Sequence, residues 1–117
     1  MPTLLYLRNI VMKGTEYMLS EKTQEIIPKV QQCLSKQPVE KAWLFGSYSR
    51  GEERPDSDVD ILVRYNEDVS LFTISRIMIQ IEKAIGHKVD LVEEGCLLPF
   101  AAPSAEHDKL LIYEREN

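Results

Sequence analysis

Three things are scarce in this 117-residue chain, and each scarcity closes off a class of function. Cysteine is the first. Only Cys33 and Cys96 occur, without C-x-x-C spacing or a histidine pattern beside them, so the expectation is two reduced thiols in a cytosolic protein. Long apolar runs are the second. No stretch approaches the roughly 18–20 residues that cross a bilayer, and the short apolar start before Arg8 is too little for a secretory signal. No membrane partner is expected, and the cytoplasm is the default location. Basic charge is the third: 14 Lys and Arg face 19 Asp and Glu, a formal net charge of -5. Broad, sequence-independent binding to nucleic acid needs clustered cations and is not expected. An acidic chain that handles a polyanionic nucleotide would instead need metal ions to offset the repulsion. His87 and His107 lack metal-ligand spacing and read as ordinary surface or loop residues.

What is present, 44% hydrophobic and 28% charged residues, suits a single soluble domain with one modest core. Residues 1–18 are weakly patterned and read as a leader, with the domain occupying 19–117. Ser20 has the look of a helix N-cap, followed by an amphipathic stripe of Ile26, Ile27, Val30, Cys33 and Leu34. Pro28 lies inside that stripe and is expected to kink or restart the helix. Ala42–Phe45 reads as a buried strand, Ser47–Gly51 as a helical turn, and Asp58–Arg64 as a second strand. A helix over Val69–Ile85 lays Leu71, Ile74, Met78, Ile81 and Ile85 on one face, with Ile77 and Ala84 beside them, and stops at Gly86. Lys88–Val92 is a third strand, and Leu110–Tyr113 a last, edge strand. An apolar tail around Leu97, Leu98 and Phe100 is left as a candidate interface.

The chemistry concentrates between Gly46 and Asp60. Gly46 lets backbone approach a ligand closely, and the N–H groups from Ser47 onward, with Ser47 Oγ, suit phosphate oxygens. Asp58 and Asp60 stand two apart on a strand, so their carboxylates leave one face and can converge on a hard cation such as Mg²⁺. Asp90 adds a third carboxylate from an apolar strand, where it is costly unless paired or ligating, the alternative being an edge position open to water. Arg50 reads equally as a phosphate partner or a solvated loop cation. Ser49, Glu52 and Glu53 read as surface residues, and Trp43 and Phe45 as core rather than a base-stacking platform.

Gly46-Ser47, ten residues, Asp58-Val59-Asp60 and a later Asp90 form a pattern that resembles the nucleotidyltransferases of the DNA polymerase beta superfamily. More narrowly, the chain is similar to the minimal nucleotidyltransferases, the MntA-type antitoxins paired with HEPN toxins. Trp43–Gly51, Ser57–Val63, Lys88–Val92 and the ending Leu111–Arg115 carry this likeness, which covers roughly Leu19 to Arg115. It implies an α/β (α+β) fold, a small mixed sheet flanked by helices. It implies that Asp58, Asp60 and Asp90 are the catalytic and metal-binding residues for two Mg²⁺ ions, and that Gly46, Ser47 and Arg50 hold the nucleotide. It also implies transfer of AMP from ATP to a tyrosine hydroxyl of a HEPN-type toxin, from the adjacent gene, with which it would form an oligomeric complex. The alternatives are an antitoxin acting by binding alone through an inactive nucleotide site, and nucleotidyl transfer to a small molecule.

Overall fold

The computed structural model describes residues 20–96 and 109–116. The expected leader, His107 and the apolar tail around Leu97, Leu98 and Phe100 lie outside them. Helix α1, Glu21–Leu34, begins as the sequence indicates: Ser20 Oγ accepts from the Thr23 N–H at 3.1 Å. Pro28 neither ends nor restarts it. The helix runs through the proline, whose side chain is exposed while Ile26, Ile27, Val30 and Leu34 are buried. Burial of the stripe outweighs the amide hydrogen bond that a proline cannot donate.

Strand β1, Val39–Phe45, leads through Gly46 into the one-turn helix α2, Ser47–Arg50, closed by Gly51. Strand β2, Val59–Tyr65, is followed by helix α3, Leu71–Ile85, capped by Ser70 and stopped by Gly86 with φ 74°. Strands β3, Val89–Glu93, and β4, Leu110–Glu114, complete one sheet in the order β3-β2-β1-β4. β1 is antiparallel to both β2 and β4, whereas β2 and β3 are parallel, so the sheet is mixed. A parallel pair needs a long crossover, which α3 supplies.

Helices α1 and α3 pack side by side on one face of the sheet. There Ile26, Val30 and Leu34 meet Ala42, Leu44, Ile61, Val63 and Ile112, all essentially sealed from solvent. Gln31 pins α1 to the edge strand, its Nε2 donating to the Ile112 carbonyl at 2.8 Å. The α3 stripe departs from expectation only at Leu71. The row that meets the core is Ile77, Ile81 and Ile85, with Ile74 and Met78 half-buried. Leu71, in the first turn and on the flank of that row, remains 80% exposed.

Alternation along the strands sends the next residues to the opposite face. Trp43 is buried there, outside the helix-side core, with the Arg64 guanidinium 5.5 Å and Lys109 Nζ 4.7 Å from its ring centroid. Asp60 and Asp90, one strand over and two strands over, belong to the same alternation.

Candidate active site

The site begins with a register. Phe45 is opposite Asp60 on the antiparallel side of β2, and Asp60 is opposite Asp90 on its parallel side. One line across three strands thus brings the end of β1, and the Gly46 turn that follows it, to both carboxylates. Asp58 sits one residue before β2 begins, so it approaches from the loop rather than from within the ladder.

Gly46 is indispensable to this arrangement. Its φ is 76°, and a Cβ there would collide with Asp60 Oδ2. The turn after it is tied back on itself: the Ser49 N–H donates to the Gly46 carbonyl at 3.1 Å and Ser49 Oγ donates to the same oxygen at 2.8 Å. Ser49 is therefore a buried, structural hydroxyl and not the surface residue expected. Because its amide is spent on Gly46, the first-turn amides left to face a ligand are those of Ser47 and Tyr48.

Asp60 is half-buried, and its pKa is pushed up to about 6. Loss of solvent is the largest cause, followed by the negative charges of Asp90 and Asp58 and by a hydrogen bond between the Asp60 and Asp90 side chains; Arg50 acts in the opposite direction. Two carboxylates placed opposite each other in the ladder are oxygen donors that a cation can bridge or share. Among the described residues, no three acidic, histidine or cysteine side chains meet closely enough to cage a metal by themselves. Mg²⁺ does not require that, since it commonly takes one or two carboxylates and completes its octahedron with water and substrate phosphate. The Asp60–Asp90 pair with Asp58 nearby fits such a cation.

Asp90 calls for a correction. It is exposed on the edge strand β3 rather than enclosed by its apolar neighbours, so the burial penalty that drew attention to it is not incurred. Its significance comes from register with Asp60. Arg50 is exposed, its Nε donating to Glu52 Oε1 at 2.9 Å, and it acts electrostatically on Asp60. Glu53 is half-buried, contrary to expectation, and its Oε1 is shut off from solvent with no hydrogen-bond partner among the described residues. Two further residues escaped the sequence reading. Tyr48 is 1% exposed within the core, and His87, read as an ordinary surface or loop residue, is half-buried with its Nδ1 3.5 Å from the Tyr48 hydroxyl. An aromatic after Gly-Ser was the available signal for Tyr48; nothing in the spacing indicated His87.

Comparison with known proteins gives a consistent result. The family model described as Polymerase beta, Nucleotidyltransferase matches residues 28–116. A candidate protein adenylyltransferase of Methanocaldococcus jannaschii is 37% identical over 75 residues, which cover 64% of this chain and 81% of that protein. A solved toxin–antitoxin complex with AMP-PNP superposes with a TM-score of 0.67 at 21% identity, covering 77% of this chain and 74% of the matched one. Another holds tri-AMPylated Shewanella oneidensis HEPN toxin with MNT antitoxin, with a TM-score of 0.62 at 19% identity and coverage of 80% and 73%. At such identities the two structures speak for the fold alone.

Proposed function

The chain belongs to the polymerase beta nucleotidyltransferase family, and from that premise we propose that it transfers AMP from ATP to a hydroxyl, that of a tyrosine, on a HEPN-type partner protein, as the antitoxin of a pair. The observation that carries this reading is the line Gly46–Asp60–Asp90, a close-approach turn beside two coupled carboxylates. The choice of AMP as the transferred group follows the relatives named as protein adenylyltransferases, and the HEPN-type acceptor is carried over from the toxin–antitoxin neighbour.

In this reading the amides of Ser47 and Tyr48 and the Ser47 hydroxyl hold the triphosphate, and Arg50 offsets its charge. Asp58, Asp60 and Asp90 would hold two Mg²⁺ ions, which when bound supply charge stabilisation at the attacking and leaving oxygens. The partner hydroxyl attacks the α-phosphorus of ATP, the bond to the β-phosphate oxygen breaks, and pyrophosphate leaves. The hydroxyl proton passes to a carboxylate, and Asp90 is the one that faces solvent on the edge strand, where a protein acceptor has access. Orientation of donor against acceptor supplies most of the rate.

The test is AMP transfer from labelled ATP with the double variant Asp58→Asn, Asp60→Asn. Loss of transfer by at least a hundredfold is expected, the order typical for removing charged catalytic groups. Transfer at the wild-type rate would refute the mechanism. A transfer-dead variant that still neutralised the partner completely would turn the reading to inhibition by binding.

A further inference from the structure

Turn α2 carries the amides assigned above to the donor phosphates, and it is fastened at three points. Gly46 abuts Asp60. The Tyr48 carbonyl accepts from Thr23 Oγ1 at 3.0 Å, which ties the turn to the capped start of α1. The third point is the Tyr48 side chain. It lies in the core, its hydroxyl 3.5 Å from His87 Nδ1 and its ring edge-on to the imidazole, centroids 6.1 Å apart.

His87 belongs to the link Gly86-His87-Lys88 between α3 and β3, and that link is itself well held. Gly86 N–H donates to the Glu82 carbonyl at 2.8 Å, Val59 N–H donates to the Lys88 carbonyl at 2.8 Å, and Val89 N–H donates to Glu82 Oε2 at 3.0 Å. Three residues past His87 stands Asp90. The Tyr48–His87 contact therefore joins the turn assigned to the donor with the strand that presents the third carboxylate, two pieces that are 39 positions apart between the contacting residues.

We propose that Tyr48 and His87 are a positioning pair for nucleotidyl transfer, setting the distance between the phosphate-holding turn and Asp90. The proposal rests on the transfer reading given above. Packing alone does not account for the pair, because phenylalanine would fill the same core volume without burying a hydroxyl that must find a partner. Burial, and secondarily the Glu53 carboxylate, push the Tyr48 phenol up from its ordinary pKa, so it stays protonated and able to donate. Neither side chain touches the reacting atoms. Each acts through the element that it holds, where a displacement of about 1 Å can cost on the order of a hundredfold in rate.

Four variants decide the matter: Tyr48→Phe, His87→Ala, the two combined, and His87→Asn, whose amide can replace Nδ1. For AMP transfer to the HEPN-type partner, each of the first two should lower kcat roughly tenfold while KM for ATP moves less than about twofold. The combination should be no worse than either alone, and His87→Asn should recover most of the loss. Amide hydrogen exchange, measured with AMP-PNP and Mg²⁺ present, should accelerate over residues 46–51 while β1 is unchanged. Multiplying losses in the double variant, an unaltered kcat, a rise in KM alone, or faster exchange across the whole sheet would each overturn the pair. If the wild-type protein modifies no partner, the transfer reading fails by itself, and the exchange comparison still judges whether Tyr48 and His87 hold the turn.

Discussion

Asp60 is a carboxylate kept where its charged form is disfavoured. Its folded pKa of about 6 lies above the ordinary value of 3.8. The protonated form therefore binds more favourably to the folded state, a contribution that is complete below about pH 4 and lost as pH rises through 6. In the metal-free protein, Asp60→Asn should raise stability by about 1 kcal/mol at pH 7.5, the full shift being discounted because the group is half-exposed. Urea denaturation at pH 7.5 and pH 4 checks this: the variant should gain at the higher pH and match the wild type at the lower. A site whose removal stabilises the fold while abolishing transfer is one kept for function. Gly46 should behave oppositely. Gly46→Ala forces a side chain into positive φ and into the Asp60 carboxylate, so it should cost roughly 1–3 kcal/mol and remove transfer. Thermal denaturation alongside the transfer assay tests both effects.

The elements were legible where local pattern and tertiary environment agree. Ser20, Gly86 and the apolar runs Trp43–Phe45 and Leu110–Tyr113 each announce themselves, because a cap, a left-handed stop or a buried strand is written in a few adjacent residues. β2 and β3 are displaced by one residue and β1 begins three residues earlier than expected, because the ladder is set across strands, as when Val59 N–H reaches the Lys88 carbonyl. The apolar face of α3 is also legible, but its periodicity does not show where the sheet ends, and there Leu71 is left exposed while Ile77, Ile81 and Ile85 are buried. Truncating the buried row is expected to be expensive. Ile77→Ala should lose about 2–5 kcal/mol, whereas Leu71→Ala should change stability by less than about 0.5 kcal/mol. Comparative urea melts separate the two. The helix through Pro28 makes the converse prediction. Pro28→Ala should stabilise by about 1–2 kcal/mol, regaining a helix amide against some added freedom in the unfolded chain, and an unchanged midpoint in urea would contradict it.

On the scale of the whole molecule, the layout of the candidate site follows from sheet order. β2 lies between β1 and β3, so the Gly46 turn and Asp90 arrive at Asp60 from opposite sides. Asp58, Asp60 and the Gly-Ser step were readable in sequence because they are close together and chemically distinctive. For Asp90 the apolar neighbours favour an enclosed position over an edge one, and it is the edge position, in register with Asp60, that the fold adopts. Tyr48 and His87 were not recognisable as a pair at all, since contacts between distant core positions leave no local pattern. The molecule as a whole provides a donor site open at one edge strand, with the acceptor supplied by a partner in the reading proposed here. Its most direct test is to combine the protein, ATP, Mg²⁺ and the HEPN-type product of the adjacent gene, and to weigh that product intact. The account predicts a gain of one or more AMP units that disappears with Asp58→Asn, Asp60→Asn. An unmodified partner, with the wild-type protein folded and ATP-bound, would contradict it.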